Sequence, residues 1–131
     1  MQPFVRPKQP LKESRLALVT TGGVHLTEHP RFDIDDPAGD CSYREIPTSA
    51  ENLTWTHAYY RPDGGGDLDA VFPLKTLRRL VRDGVVGELS GRHFSFMGAI
   101  HDPTQLVENT APEVAGKLVE DHVDIVLLTP S

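Results

Sequence analysis

Three short apolar runs, each stopped by turn-forming residues, constrain this chain more than any other feature. Arg15–Thr21 ends at Gly22-Gly23, His93–Ile100 ends at His101-Asp102-Pro103, and Asp124–Thr129 ends at Pro130. Runs of this length that lack regular apolar–polar alternation are the mark of strands covered on both faces. Helical patterns lie between the first run and the last. Phe72-Pro73-Leu74 opens one in which Leu74, Leu77, Leu80 and Val81 share a face, and Asp83-Gly84 closes it, with Gly84 as the C-terminal cap. Thr104–Glu120 carries the other, with Leu106, Val107, Val114, Leu118 and Val119 as its expected inner face and a break at Pro112. Strands alternating with helices predict a layered α/β fold with a largely parallel sheet and flanking helices, an incomplete Rossmann-like half.

The remaining segments fit around that frame. Residues 1–14, with Pro3, Pro7 and Pro10, read as an extended arm, and residues 15–131 as a single α/β domain. Val24–Pro47 is a long loop whose Tyr43–Pro47 end forms a short strand, and Asn52–Tyr60 alternates as another strand. Thirteen Lys and Arg against 19 Asp and Glu leave a net charge of −6, which repels a polyanion and argues against nucleic acid as a partner. No apolar run reaches the roughly 18 to 20 residues of a membrane span, and the N-terminal prolines interrupt any signal-peptide core, so a cytoplasmic protein with no membrane partner is expected. The single cysteine, Cys41, excludes an internal disulfide, and its neighbour Asp40 would raise the thiol pKa, so it reads as structural.

In an open parallel sheet the ligand crevice lies beyond the carboxyl ends of the strands. Three segments qualify: Thr20–His25, Phe96–Asp102 and Thr129–Ser131. They make Thr21, Gly22, Gly23, His25, Gly98 and Thr129 candidate substrate-binding residues; the alternative is that the glycines only turn the chain. The loop after the first strand adds Asp33, Asp35, Asp36 and Asp40, with His57 downstream. Such a mixture could hold a divalent cation or meet an amine. The acid spacing does not fit an EF-hand, no His-Glu-x-x-His occurs, and clustered Asp residues also serve as turn formers, so no metal site is assigned. No Gly-x-Ser-x-Gly, phosphate-binding loop or Gly-x-Gly-x-x-Gly is present, and no cofactor is expected.

Read in order, Leu18-Val-Thr-Thr-Gly-Gly-Val-His-Leu26, Phe32-Asp-Ile-Asp-Asp-Pro-Ala-Gly-Asp40, Tyr43–Pro47, Val71–Leu74, His93–Ile100 and Asp124–Pro130 resemble the selenoprotein B family of glycine, sarcosine, betaine and D-proline reductases. The similarity runs from about Leu11 onward. It implies reductive cleavage of the bond between the α-carbon and nitrogen of an amine or amino-acid substrate by a selenolate or thiolate. A selenol suits the step because it is ionised and polarisable at neutral pH. In the family the nucleophile follows the apolar strand ending in Thr-Pro, which places it just after Ser131 and leaves no catalytic residue within the chain. The expectation is therefore that the domain is cut there, at a UGA codon read as a stop; an ordinary truncated or nucleophile-free paralogue is the alternative. In this reading Thr21, Gly22, Gly23 and His25 line the crevice, and the Asp33-Asp35-Asp36 loop places the substrate ammonium or tunes proton transfer. Expected partners are the small amine or amino-acid substrate and other reductase subunits or a thiol redox protein, with a homo-oligomer as a further possibility, and an unfinished parallel sheet exposes an edge to a partner. The competing function is a non-catalytic metal- or small-molecule-binding module built on Asp33–Asp40.

Overall fold

The computed structural model describes residues 5–56 and 68–130. β1 (Arg15–Thr20) runs through the middle of the main sheet. On one edge it pairs in parallel with β7 (Ile125–Thr129), from Leu16 opposite Ile125 to Thr20 opposite Thr129. On its other edge two short parallel strands share it, β5 (Glu88–Leu89) beside Arg15 and Leu16, and β6 (Arg92–Phe96) beside Val19 and Thr20. β3 (Tyr43–Pro47) lies outside β6 and antiparallel to it. A separate ribbon pairs β2 (Val24–Leu26) with β4 (Leu53–Trp55). The expected mixed α/β architecture with a mostly parallel sheet is what the chain forms.

A histidine fills the gap between β5 and β6. The Leu16 carbonyl accepts the Ser90 N–H at 2.8 Å, and main-chain pairing resumes at Val19 and Thr20, which leaves the Leu18 N–H facing the break. His93 Nδ1 accepts that N–H at 2.8 Å. Its other nitrogen, Nε2, is 2.8 Å from Thr48 Oγ1, and the Thr48 hydroxyl in turn donates to the Ser90 carbonyl. Since Nδ1 is an acceptor, the ring is neutral with its proton on Nε2. Burial pushes its pKa down to about 4.

Helices cover the two faces of the sheet. α1 (Leu68–Val71) leads into α2 (Leu74–Arg82), which buries Leu74 and Leu77 against Leu16, Leu18, Ile46 and Phe72. Gly84, at φ +77°, ends α2 as predicted; its N–H reaches the Val81 carbonyl and that of Val85 reaches Leu80. On the opposite face α3 (Ala111–Glu120) sets Val114 against Phe94 and Phe96. No helix among the described residues is long and apolar enough to cross a membrane.

Several expectations are corrected. β7 is not covered on both faces, because Val126 and Leu127 are each 37% exposed and Leu128 is 70% exposed. Val107 and Val119 of the expected inner helix face point to solvent. Val119 lies about 140° round the helix from Val114, and a π-type turn at Leu106–Thr110 rotates Val107 off the face. The run His93–Ile100 is a strand only to Phe96, the run Asn52–Tyr60 is a strand at Leu53–Trp55 with 57–60 outside the described residues, and the long loop contains β2.

Candidate functional site

β1, β6 and β7 point the same way, so Thr20, Phe96 and Thr129 end at one side of the sheet. The turn after β1 is sewn to the other two strand ends. The Thr129 carbonyl accepts the Thr21 N–H at 3.1 Å and the Thr20 hydroxyl at 3.0 Å. The Gly22 N–H donates to Thr20 Oγ1 at 3.1 Å, and the Gly23 N–H to the Phe96 carbonyl at 2.9 Å. These three amides are thereby committed inside the protein, so the turn does not act as an anion-binding nest of free N–H groups. It is a floor rather than a clamp.

Gly23 is dictated by space as well as by its φ of +66°. A β-carbon there would lie 1.9 Å from the Thr56 carbonyl oxygen and 2.9 Å from Met97 Sδ. The close approach lets the Thr56 N–H donate to the Gly23 carbonyl at 2.8 Å, joining the turn to the end of β4. Gly98 follows Met97 and is exposed at the rim. The structure thus brings together Thr21, Gly22, Gly23, Gly98 and Thr129 as neighbours of the strand ends.

His25 sits behind that floor rather than in it. It is on β2, only 3% exposed, with Nδ1 2.7 Å from the Leu26 carbonyl and Nε2 2.9 Å from Thr56 Oγ1. A carbonyl can only accept, so Nδ1 carries the proton and Nε2 accepts from the threonine hydroxyl. Burial lowers the pKa of His25, against the opposing effect of the Leu26 hydrogen bond, and nearby Arg44 lowers it further. The neutral ring packs edge-on to Phe32 with centroids 6.2 Å apart, and the Arg44 guanidinium lies 4.2 Å from the Phe32 centroid.

Three carboxylates of the acidic loop, those of Asp33, Asp36 and Asp40, are spent on the loop itself. Asp33 Oδ1 accepts the Asp35 N–H at 3.0 Å, and Asp36 Oδ1 accepts the Ala38 N–H at 2.9 Å. Asp40 accepts the Asp33 and Ser42 N–H groups at 2.8 and 2.9 Å; burial opposes its ionisation, but these bonds and the Ser42 hydroxyl hold its carboxyl below the usual range. The loop is docked on the connection after β6, where the Ala38 carbonyl accepts the His101 and Asp102 N–H groups at 3.0 and 2.8 Å. Arg44 pins its other side through the Pro30 and Arg31 carbonyls and Ser42 Oγ. Asp33, Asp35 and Asp36 are exposed, while His57 lies outside the described residues. Among the described residues no three His, Cys, Asp or Glu side chains are gathered as a metal site. A groove of about 1090 Å³ lined by Phe72, Lys75, Arg78, Arg79 and Arg82 belongs to α1, α2 and the 50–53 segment, not to the strand ends.

Thr56 and Arg44 lie outside the expected site, and Thr20 and Met97 lie in its segments with no role assigned to them, yet all four set the geometry of the expected residues. Thr20 carried a local signal, a hydroxyl two residues before an amide at a Gly-Gly turn. Thr56 and Met97 are long-range partners with none.

A family model, glycine/sarcosine/betaine reductase selenoprotein B, matches residues 2–131. The chain belongs to this family. It is 38% identical over 122 residues to the D-proline reductase subunit gamma of Acetoanaerobium sticklandii, covering 91% of this chain and 49% of the relative. Over 129 residues it is 30% identical to the sarcosine reductase complex component B subunit beta of Peptoclostridium acidaminophilum, covering 91% of this chain and 28% of that one. It is 29% identical over 132 residues to the glycine reductase complex component B subunit gamma of Symbiobacterium thermophilum, covering 94% and 30%. This selenoprotein B-family chain therefore spans about half the length of the first relative and under a third of the other two. No solved structure matches it.

Proposed function

We propose that this chain forms the floor of the substrate site of a cytoplasmic reductase that cleaves the α-carbon–nitrogen bond of glycine, sarcosine, betaine or D-proline. The observation that carries the reading is the Thr129 carbonyl held by Thr20 and Thr21. Whatever follows β7 leaves the sheet beside the Gly22-Gly23 turn, where open parallel sheets place their ligands. A selenolate or thiolate supplied from beyond Ser131 attacks the α-carbon there. As the chalcogen–carbon bond forms, the carbon–nitrogen bond breaks and its electron pair leaves with the amine, which takes up a proton. A second thiol then attacks the chalcogen, the carbon leaves as the protonated product, and the resulting chalcogen–sulfur bond is reduced by a dithiol partner.

Within this scheme Gly22 and Gly23 contribute the absence of side chains under the reacting carbon. Thr21, Gly98 and Thr129 line the rim, and His25 supports the turn through Thr56 as a neutral group. The Asp33–Asp36 arc supplies negative charge near a substrate ammonium. Since the turn's amides are committed, the substrate carboxylate is bound by groups from the remainder of the subunit or from partner subunits. The relatives' names, subunits and components of reductase complexes, support such partners.

The test, with dithiothreitol as reductant, is release of free amine from glycine, sarcosine or betaine, and ring opening to a primary amine from D-proline, whose nitrogen stays bonded to the product through its other ring carbon. The chain alone is expected to be silent. The chain read through past Ser131 with a selenocysteine or cysteine in place, and supplied with its partner subunits, is expected to give the cleaved product from at least one of them. Cleavage by the short chain alone, or silence of the restored complex with all four, overturns the proposal.

A further inference from the structure

We infer that the outer edge of β7 is the seat of a further parallel strand, delivered with its own covering helices by the part of a reductase subunit that this chain does not match. The inference rests on the reductase reading above for the identity of the occupant, and on the sheet for its shape. The Thr129 carbonyl faces β1, where it takes the Thr21 N–H. Main-chain groups alternate sides along a strand, so the N–H and C=O groups of Val126 and Leu128 face the open edge. The side chains on both faces are bare as well. Val126 and Leu128 stand on the α3 side, opposite Ala17 and Val19, and Leu127 stands on the α2 side, opposite Leu18, and all three are substantially exposed.

A parallel strand that is apolar on both faces belongs inside a sheet covered by helices, not at its rim. α2 and α3 are spent elsewhere, α2 on Leu16, Leu18 and Phe72 and α3 on Phe94 and Phe96. A second copy joined through a two-fold axis would pair β7 with β7 in antiparallel fashion and extend the edge, but each copy's α3 would stay over its own β6. Val126 and Leu128 would then remain without a helix. An occupant that brings a strand together with helices satisfies the edge and both faces at once. The relatives contain such material in quantity, since this chain accounts for 49% of the D-proline reductase gamma subunit.

The test pairs the 131-residue chain with a polypeptide made from the unmatched half of the D-proline reductase gamma subunit. Light scattering should give a 1:1 complex, and amide exchange at Val126 and Leu128 should slow by more than about tenfold while β1 amides change little. Leu128→Lys and Val126→Lys, both at exposed positions, should weaken the complex at least about tenfold, and Val85→Lys, exposed after α2, should not. Absence of a complex, a complex indifferent to both β7 substitutions, or a dimer of this chain alone that protects Val126 and Leu128 overturns the inference. A complex that forms through β7, while the read-through chain with its partner subunits cleaves none of the four substrates, leaves the edge standing and removes the reductase reading; turnover by the read-through assembly without protection at β7 does the reverse.

Discussion

His93 works only without a charge. Its Nδ1 must accept the Leu18 N–H, and protonating that nitrogen would set two hydrogens against each other inside a fully buried site. Its pKa is about 4 in the fold against the ordinary 6.5. Below pH 6.5 the unfolded chain therefore takes up a proton that the folded chain refuses until about pH 4. Stability from this residue is fully present above pH 6.5 and is lost as pH falls through that window, by about 2.5 kcal/mol at pH 4.5. Urea denaturation at pH 7.5 and 4.5 checks this: the parent chain should lose more stability than His93→Asn, and equal losses would show that the imidazole is not the source. Two glycines provide a second residue-scale contrast. Gly84→Ala adds a β-carbon to open space at φ +77° and should cost about 1 kcal/mol, whereas Gly23→Ala adds left-handed strain to a backbone clash with Thr56 and should cost at least about 3 kcal/mol. Comparable melting shifts for the two would contradict the packing described for the turn.

Among the elements, α3 separates what a periodic pattern shows from what it hides. Val114→Ala, at the buried centre of the helix face, should cost about 2 kcal/mol, and Val119→Ala, 76% exposed, should stay within about 0.5 kcal/mol. Denaturant midpoints with unchanged slope would measure both, and a large loss at Val119 would mean that the helix is turned differently. The two valines are five residues apart within α3, about 140° around the helix, so a face centred on Val114 leaves Val119 outside it. β1 and α2 were legible because their signals are local: an apolar run ended by Gly22-Gly23, and a Leu74-Leu77-Leu80 stripe ended by Gly84. β2 and β5, three and two residues long, exist through partners distant in sequence and carry no periodicity of their own. β7 was legible as a strand but not as an edge, because its exposure depends on what lies beside it. The same division holds at the site. The convergence of the strand ends follows from parallel topology, while the placement of His25 behind the floor depends on Thr56 and Phe32, contacts that no spacing announces.

For the whole molecule, the two faces of the sheet are unequally covered. Among the described residues ten buried apolar side chains, from Leu16 to Val86, form the core on the α2 side, against three, Phe94, Phe96 and Val114, on the α3 side. Ion pairs partly compensate, since Arg92 on β6 meets Asp121 at 2.7 Å and Lys117 of α3 meets Glu45 of β3. These groups are partly exposed, and each such pair contributes on the order of 1 kcal/mol or less. Burial therefore decides the order of opening. α3 should detach in a partial unfolding whose free energy lies well below that of the β1–β6 centre, and 1 M salt should lower it further by screening Arg92 and Lys117. Native-state hydrogen exchange at low denaturant concentrations measures this directly: amides of Val114–Glu120 should exchange through a small opening that leaves β1 protected. If those amides and the β1 amides exchange only together, with one free energy, the α3 layer is as firmly held as the larger core and the asymmetry of burial does not govern the molecule.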